Sequence, residues 1–447
     1  MATFLRDFNV GIYKEHLDDA AFLYEQRRAY LRDPEVNWAD LSAWEDRLEA
    51  HLDALVVGGD LALEICAKEA EAGEPGAMHA ALRVFCRQNR KESVFATLDA
   101  IDPAADAAVD AAAWALCSEV GWRDDVLRTF QQEDRPQLTR ILARVVGYRR
   151  FSSEGLVADR LSRKPSFGRT EMAWALGRVG SAASVRVLRP LLDDEDPCVR
   201  EAAAIAMMRL GDDFPVRQAA LNAGSDAWTR RVLAIGGDSR SVRILLDVVK
   251  AEPDTETVVA LGLLGDLAAV APLVELLDDE GLAVAAGIAL NTITGAELHA
   301  RVFVPDTFDP DELTNDEREA FAKDGTLPTK NGKPFGNWER RPLLDKAGWR
   351  AWLEDNKHRF SRQNRWRMGK PHGPAALLDC LIAETTPYVV RAATSEELVV
   401  RFGMDVPFEA DLPVSLQRRF LSKIGTWIAQ HGDTFESGGW YFGGRPQ

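Results

Sequence analysis

The middle of the sequence repeats one short pattern: a glycine, four further residues, and then a valine that begins an apolar stripe. The copies are GSAASVRVLRPLL, GDDFPVRQAAL, GDSRSVRILLDVV and GDLAAVAPLVELL, which begin at Gly180, Gly211, Gly237 and Gly265. With Gly295, which ends the stretch LAVAAGIALNTITG, successive glycines lie 31, 26, 28 and 30 residues apart. A period near 30 with two helices per unit is typical of a solenoid, in which each unit buries its apolar face only against its neighbours. The pattern therefore predicts an all-α, α-α solenoid.

The helix within DEDPCVREAAAIAMMRLGDD has signals for both of its ends. Asp196 is expected to cap the N-terminus, and Pro197 suits the first helical position, where its missing N–H costs nothing. Gly211 lies where a helix C-cap glycine belongs. The similar stretch DAWTR gives Asp226 the same expected capping role. The remaining glycines of the pattern are expected at the turns between repeat helices: Gly180, Gly237 and Gly265.

Between roughly residues 170 and 295, this pattern resembles the HEAT-repeat class, particularly its short bacterial form. A terminal unit must cover the first apolar face of such an array, and the helical stretches near the N-terminus suit that role. The chain is therefore divided into a helical cap (1–59), divergent HEAT-like repeats (60–169), clear repeats (170–300), an acidic linker or loop (301–330), and a basic, Trp-rich segment that is mostly helical but irregular (331–447).

Composition and motifs restrict the classes of function. The net charge of −16 argues against a protein that binds nucleic acid with its whole surface. No apolar run of about 18 residues predicts a membrane span, and five scattered cysteines without a signal peptide predict a cytoplasmic protein. The common motifs of hydrolases, nucleotide-binding proteins and metal sites are not found. The sequence therefore predicts no enzyme activity, no cofactor and no metal.

The block from residue 330 to 370 has the opposite charge, with 12 Lys and Arg against 4 Asp and Glu. Arginine and tryptophan are enriched at binding hot spots, so this block is the candidate partner-binding surface. Its candidate residues are Arg359, Arg362, Arg365, Trp366, Arg367 and Lys370. Two alternatives stay open: these arginines pair internally with the acidic linker or repeat aspartates, or the partner binds the concave face of the repeats. An exposed Arg367 also predicts that Arg367→Ala destabilises the protein less than Leu210→Ala in the repeat core.

Both ends of the chain resemble a bacterial family of uncharacterised HEAT-repeat proteins, often encoded near type VI secretion genes. The resemblance is carried by EHLDDAAFLYEQ, RLEAHLDALVVGGD, NRWRMGKPHGPAALL, EELVVRFGMDVPFE and GGWYFGG. A repeat array without a reaction motif predicts a non-enzymatic scaffold or adaptor that binds a protein partner. The resemblance implies that this partner is a component, effector or adaptor of a type VI secretion system, and it supplies no catalytic residues. The alternative is a HEAT-like enzyme, such as a DNA glycosylase with Trp228 on the concave face, or a protein resembling a chromophore lyase.

Overall fold

The computed structural model describes residues 2–119, 121–163, 167–305, 313–325, 329–330 and 333–447. The first 18 of its helices form one array: α1 (Ala2–Arg32), α2 (Leu41–Val57), α3 (Gly59–Glu71), α4 (Pro75–Arg87), α5 (Lys91–Ala100), α6 (Asp106–Glu119), α7 (Arg123–Gln132), α8 (Pro136–Tyr148), α9 (Glu154–Ser162), α10 (Arg169–Val179), α11 (Val185–Leu188), α12 (Pro197–Arg209), α13 (Phe214–Asn222), α14 (Ala227–Gly236), α15 (Ser239–Ala251), α16 (Thr255–Leu264), α17 (Val270–Glu275) and α18 (Ala283–Thr294).

The C-terminal part adds five helices and small two-stranded sheets. Its helices are α19 (Asn315–Asp324), α20 (Lys346–Asn356), α21 (Pro374–Ile382), α22 (Tyr388–Phe402) and α23 (Val414–His431). The strands are β1 (His299–Pro305), β2 (Thr329–Lys330), β3 (Lys333–Pro334), β4 (Gly336–Pro342), β5 (Trp366–Arg367), β6 (Lys370–Pro371), β7 (Tyr441–Phe442) and β8 (Arg445–Pro446). Each sheet is a pair of antiparallel strands. The paired strands follow each other along the chain, except that α19, β2 and β3 lie between β1 and its partner β4.

The array consists of two rows of helices. The even-numbered helices from α4 to α18 pack side by side in an inner row, while the odd-numbered helices from α3 to α17 lie outside them. Small residues allow close approach within the inner row: a Cβ added at Gly262 would lie 2.7 Å from the Cα of Ala289. This architecture confirms the predicted all-α solenoid.

The ends of the repeat helices follow from local sequence. The Asp196 carboxylate accepts a hydrogen bond from the backbone N–H of Cys198 at 2.8 Å, and Gly211 follows α12 with a φ of +86°. Asp226 differs from the prediction, because it makes no capping hydrogen bond and instead pairs with Arg200 at 3.1 Å. Gly180, Gly237 and Gly265 directly follow α10, α14 and α16.

The C-terminal segment lies against the inner row. Helix α22 contacts α12, α14 and α16, and it also reaches α1 at the other end of the array. A second hydrophobic core joins the first two helices to α21, α22 and α23, with Trp38, Leu41, Leu377, Leu398 and Ile424 among its buried residues. The two ends of the chain therefore share one core across the concave side of the solenoid.

The predicted boundary at residue 301 is wrong, because it falls inside β1. This strand pairs with β4 along its whole length, with Phe303 opposite Trp338, so main-chain hydrogen bonding crosses the boundary. Of the predicted acidic linker or loop (301–330), residues 306–312 and 326–328 lie outside the described residues, and residues 315–324 form helix α19 rather than a loop. In the part of the chain that the structure describes, no helix combines the length and the apolar character that a membrane crossing requires.

Candidate functional site

The structure divides the six predicted partner-binding residues into two groups. Arg365, Trp366 and Arg367 are buried, with exposed fractions of 1%, 5% and 0%, so none of them can form an accessible partner surface. This part of the predicted site is wrong, because these side chains bond within the protein. The three others are exposed: Arg359, Arg362 and Lys370.

The two buried arginines belong to an ion cluster around Glu397 of α22. Arg367 Nη2 lies 2.6 Å from Glu397 Oε1, and Arg365 Nη2 lies 3.6 Å from Oε2. Arg401 and His372 approach Oε2 at 3.1 and 2.9 Å. Burial raises the pKa of Glu397, but the attraction of Arg367 and the hydrogen bond from His372 outweigh it and hold that pKa well below its usual value. Glu397 is therefore ionised.

The ring of His372 is neutral in this cluster. Burial and the neighbouring Arg365 lower the pKa of His372 well below its usual value, despite the attraction of Glu397. Since the ionised Glu397 only accepts hydrogen bonds, the Nε2–H of His372 must be the donor.

The same arginines also bind the ends of the repeat helices. Arg367 Nη2 donates to the carbonyl oxygen of Leu263 at 2.6 Å, near the C-terminus of α16. Arg401 donates to the carbonyl oxygens of Ala234 and Gly237, each at 3.0 Å, at the C-terminus of α14. Cations are favourable near the unpaired carbonyls and the negative dipole end of a helix. These contacts hold the C-terminal segment against the repeats.

The repeat-turn glycines take part in this docking. Gly265 has a φ of +72°, and its carbonyl accepts a hydrogen bond from the backbone N–H of Trp366 at 2.7 Å. A Cβ at Gly265 would lie 2.1 Å from the carbonyl oxygen of Trp366. Gly295 has a φ of +58°, and a Cβ there would lie 2.4 Å from the carbonyl group of Met368. Both positions therefore require glycine for conformation and for contact with the C-terminal segment.

A second cluster joins α10 and α12 to the C-terminal segment. Arg178 bonds Glu396 at 2.9 Å and Glu409 at 2.7 Å. Arg209 lies 2.6 Å from Glu396, and Arg150 lies 2.8 Å from Glu409. Burial raises the pKa of Glu396, but attraction to Arg209 and Arg178 outweighs it and lowers this pKa to about 2. These ion pairs hold α22 and the loop after it over the middle repeats.

Beside the second cluster lies a concave cleft of about 390 Å³ between the inner helices and the C-terminal segment. Helices α6, α8, α10, α12 and α14 form one side, while α22 and residues 409–411 form the other. Its aromatic lining residues are Trp114, Tyr148, Trp174 and Tyr388.

Two polar atoms in the concave cleft lack partners. The Oδ1 atom of Asp411 and the hydroxyl of Tyr148 are buried and form no hydrogen bond with a described residue. Burial, and then repulsion from Glu409, raises the pKa of Asp411 to about 6. Sequence analysis missed this site, because EADLP contains no motif that distinguishes Asp411 from a surface aspartate.

An exposed basic and aromatic surface lies on the β1–β4 ribbon. The register places Arg301 opposite Arg340 and Phe303 opposite Trp338, so all four side chains share one face, called here the ribbon face. Trp338 is 60% exposed, and the Arg301 guanidinium lies 5.6 Å from its ring centre. Arg340 Nη2 lies 3.0 Å from the Nδ1 of His299. Trp338 and Arg340 belong to the predicted basic, Trp-rich block, outside the stretch 359–370, whereas Arg301 and Phe303 belong to the segment predicted as an acidic linker.

The two rows of stacked helices define the class of protein as an α-solenoid. The family model for HEAT repeats matches residues 159–236, and the model for the PBS lyase HEAT-like repeat matches residues 256–279. The chain matches no curated protein. These findings assign residues 159–236 and 256–279 to HEAT-type repeat families.

Proposed function

We propose that the chain is a non-enzymatic scaffold or adaptor that binds another protein through the ribbon face. HEAT repeats usually mediate protein interactions, which supports the general role. The observation that carries the proposal is the exposure of Trp338 in a segment that buries Trp349 and Trp366. An exposed tryptophan between arginines has the composition of a binding hot spot.

The charges on the ribbon face favour an acidic partner. Arg301 and Arg340 lie directly opposite each other, and like charges in that position repel. A carboxylate from a partner would reduce this repulsion and could accept paired hydrogen bonds from a guanidinium. The Trp338 ring would supply the apolar contact that such a charged interface needs at its centre.

Affinity capture with variants tests this role. The tagged full chain would be used to recover partners from its native cell at low and moderate salt, and each partner would then be purified and tested for direct binding. Trp338→Ala is expected to weaken that binding by about tenfold or more, which corresponds to at least about 1.4 kcal/mol. The circular dichroism spectrum should not change, because Trp338 is mostly exposed.

Leu221→Ala is the matched control, since Leu221 is apolar, 79% exposed and located on α13. Equal binding by the Trp338 variant and wild type would place the interface outside the ribbon face. Recovery of no specific partner at either salt concentration would contradict the scaffold role itself.

For the particular setting, we propose an accessory role in effector loading or assembly of a type VI secretion system. The support is the resemblance of EHLDDAAFLYEQ, NRWRMGKPHGPAALL and GGWYFGG to a bacterial HEAT-repeat family encoded near such genes. The captured partner should then be a secretion-system component or effector, and deletion of this protein should reduce effector release. A captured set that contains only proteins of unrelated systems would contradict this setting.

One observation favours the alternative of a HEAT-like enzyme, namely the match of residues 256–279 to the PBS lyase HEAT-like repeat. The glycosylase form of this alternative needs a concave base-stacking tryptophan, whereas Trp228 is 6% exposed and belongs to the repeat core. A DNA-shift assay at physiological ionic strength tests the glycosylase form, because tight and salt-sensitive binding is expected of a DNA-acting protein.

A further inference from the structure

Asp411 is a cleft acid that the described residues leave without a cationic partner. It follows Glu409 in the loop between α22 and α23, and its Oδ1 atom is buried without a hydrogen bond. The nearby cations already bond other acids: Arg144 lies 2.5 Å from Asp110, and Arg27 lies 2.7 Å from Glu45. Arg144 and Arg27 attract the Asp411 carboxylate and oppose the rise of its pKa, but no described residue forms an ion pair with it at such a distance.

This arrangement has an electrostatic cost. A buried carboxylate without an ion pair is unfavourable, because it loses hydration. For Asp411, the attraction of Arg144 and Arg27 and a backbone hydrogen bond compensate only in part, since its pKa remains raised. With a pKa of about 6, Asp411 is nevertheless mostly ionised at neutral pH. A ligand cation at this place would remove the cost, so its binding would be coupled to the stability of the fold.

The other cleft residues suit the same ligand. Tyr148 is close enough to Asp411 for the two groups to interact. Burial raises the pKa of Tyr148 most, and the negative charge of Asp411 raises it further. The Tyr148 hydroxyl can accept a hydrogen bond from an N–H group. The rings of Trp114 and Tyr388 line the same space, and aromatic faces attract organic cations. The volume of about 390 Å³ is within the range of small-molecule pockets.

We infer that the concave cleft is a binding site for an organic ammonium group, held by the Asp411 carboxylate and the Tyr148 hydroxyl between aromatic side chains. The ammonium donates hydrogen bonds to both oxygen atoms and supplies the close ion pair that no described residue gives Asp411. The group could be a free amine or a lysine side chain of another protein, because the site recognises only the shared ammonium chemistry. This inference goes beyond the proposed scaffold role and does not depend on the ribbon face.

Calorimetric titration of the full chain tests the site with three probes. Cadaverine represents a free amine, Nα-acetyl-lysine methylamide represents a lysine side chain, and 1-pentanol is the neutral control. At least one of the two amines should bind, whereas 1-pentanol should not. Binding should weaken about tenfold between neutral pH and about pH 5, because protonation removes the charge of Asp411.

Three variants locate the binding. Asp411→Asn should weaken amine binding about tenfold or more, because it removes the charge and retains the shape. Asp405→Asn, an exposed position in the same loop, should bind as wild type does. Tyr148→Phe retains the ring but removes the hydroxyl, so it should weaken amine binding several-fold. If the Asp411 variant does not fold, the Tyr148 variant alone tests whether the amine binds in the concave cleft.

The outcomes are distinct. Binding of cadaverine alone supports a free amine, and binding of the capped lysine alone supports a lysine side chain. The inference is overturned if neither amine binds at millimolar concentration, if 1-pentanol binds equally well, or if the Asp411 and Tyr148 variants bind the amines as wild type does. Loss of partner capture by the Trp338 variant is a separate result and does not bear on these outcomes.

Discussion

Replacement of Arg367 by alanine should destabilise the protein strongly, although the side chain belongs to a basic segment that the sequence presents as a surface. Arg367 is fully buried, and its Nη2 atom lies 2.6 Å from both Glu397 and the carbonyl oxygen of Leu263. Removal of one partner from a buried ion pair costs about 3–5 kcal/mol. Since Glu397 keeps its bonds to Arg401 and His372, we expect about 3 kcal/mol, at the lower end of that range.

Urea denaturation of the full chain, followed by circular dichroism, would measure this loss. Arg362→Ala is the matched control and should change the free energy of unfolding by less than about 0.5 kcal/mol, because Arg362 is exposed. Leu210→Ala should cost about 1 kcal/mol, since Leu210 is only half-buried at the end of α12. This order reverses the prediction made from the sequence.

Hydrogen exchange provides a second measurement, because Arg367 holds the C-terminal segment against the repeats. The variant should lose protection first in residues 366–402 and only later in the repeat helices. If Arg367→Ala unfolds at the same urea concentration as Arg362→Ala, the buried cluster around Glu397 does not stabilise the fold and the reasoning is refuted.

Three further perturbations have defined outcomes. The pKa of Asp411 is raised to about 6, so its protonated form stabilises the fold below its ordinary pKa, and this stabilisation is lost as pH rises through about 6. Asp411→Asn should therefore raise the free energy of unfolding at pH 7 by up to about 3 kcal/mol. In urea denaturation, this gain should disappear near pH 4. The pKa of Glu396 is lowered to about 2, so the ionised Glu396 stabilises the fold by about 3 kcal/mol above pH 4.5, and this stabilisation is lost as pH falls through about 2. When both proteins are titrated with acid, Glu396→Gln should therefore lose less stability than wild type between these two pH values. Gly265→Ala should lower the melting temperature more than Gly211→Ala does. Alanine at either position would adopt a positive φ at a cost of about 1–2 kcal/mol, but only at Gly265 would its Cβ also meet the Trp366 carbonyl. Equal melting temperatures of the two variants would contradict this close contact.

Much of the fold could be predicted from the sequence, because its signals are local. Glycine spacing, apolar stripes and helix caps act within about 30 residues, and together they specify helix pairs that must stack. Asp196 and Gly211 illustrate this, since each determines one end of α12 through contacts with its immediate neighbours. Asp226 shows the limit of such reasoning, because a repeat arginine, Arg200, binds its carboxylate in place of the expected capping contact.

The candidate sites depended on contacts between residues far apart in the chain. The charge of the block 330–370 predicted that it binds something acidic, but charge alone does not distinguish an internal partner from an external one. The structure pairs Arg365 and Arg367 with Glu397, in the same C-terminal segment, and with carbonyl groups of the repeats. Main-chain carbonyls have no sequence signal, so this docking could not be inferred from side-chain composition.

The sequence by itself determined the repeats, their turns and the all-α class, because each repeat helix is specified by residues close to it in the chain. Only the tertiary structure decided that the C-terminal segment covers the concave side, that Trp338 remains exposed, and that the Oδ1 atom of Asp411 is buried in a cleft without a hydrogen bond from a described residue. The physical reason is distance along the chain: the cleft forms only where α22, which begins at Tyr388, lies across helices of which the last, α14, already ends at Gly236.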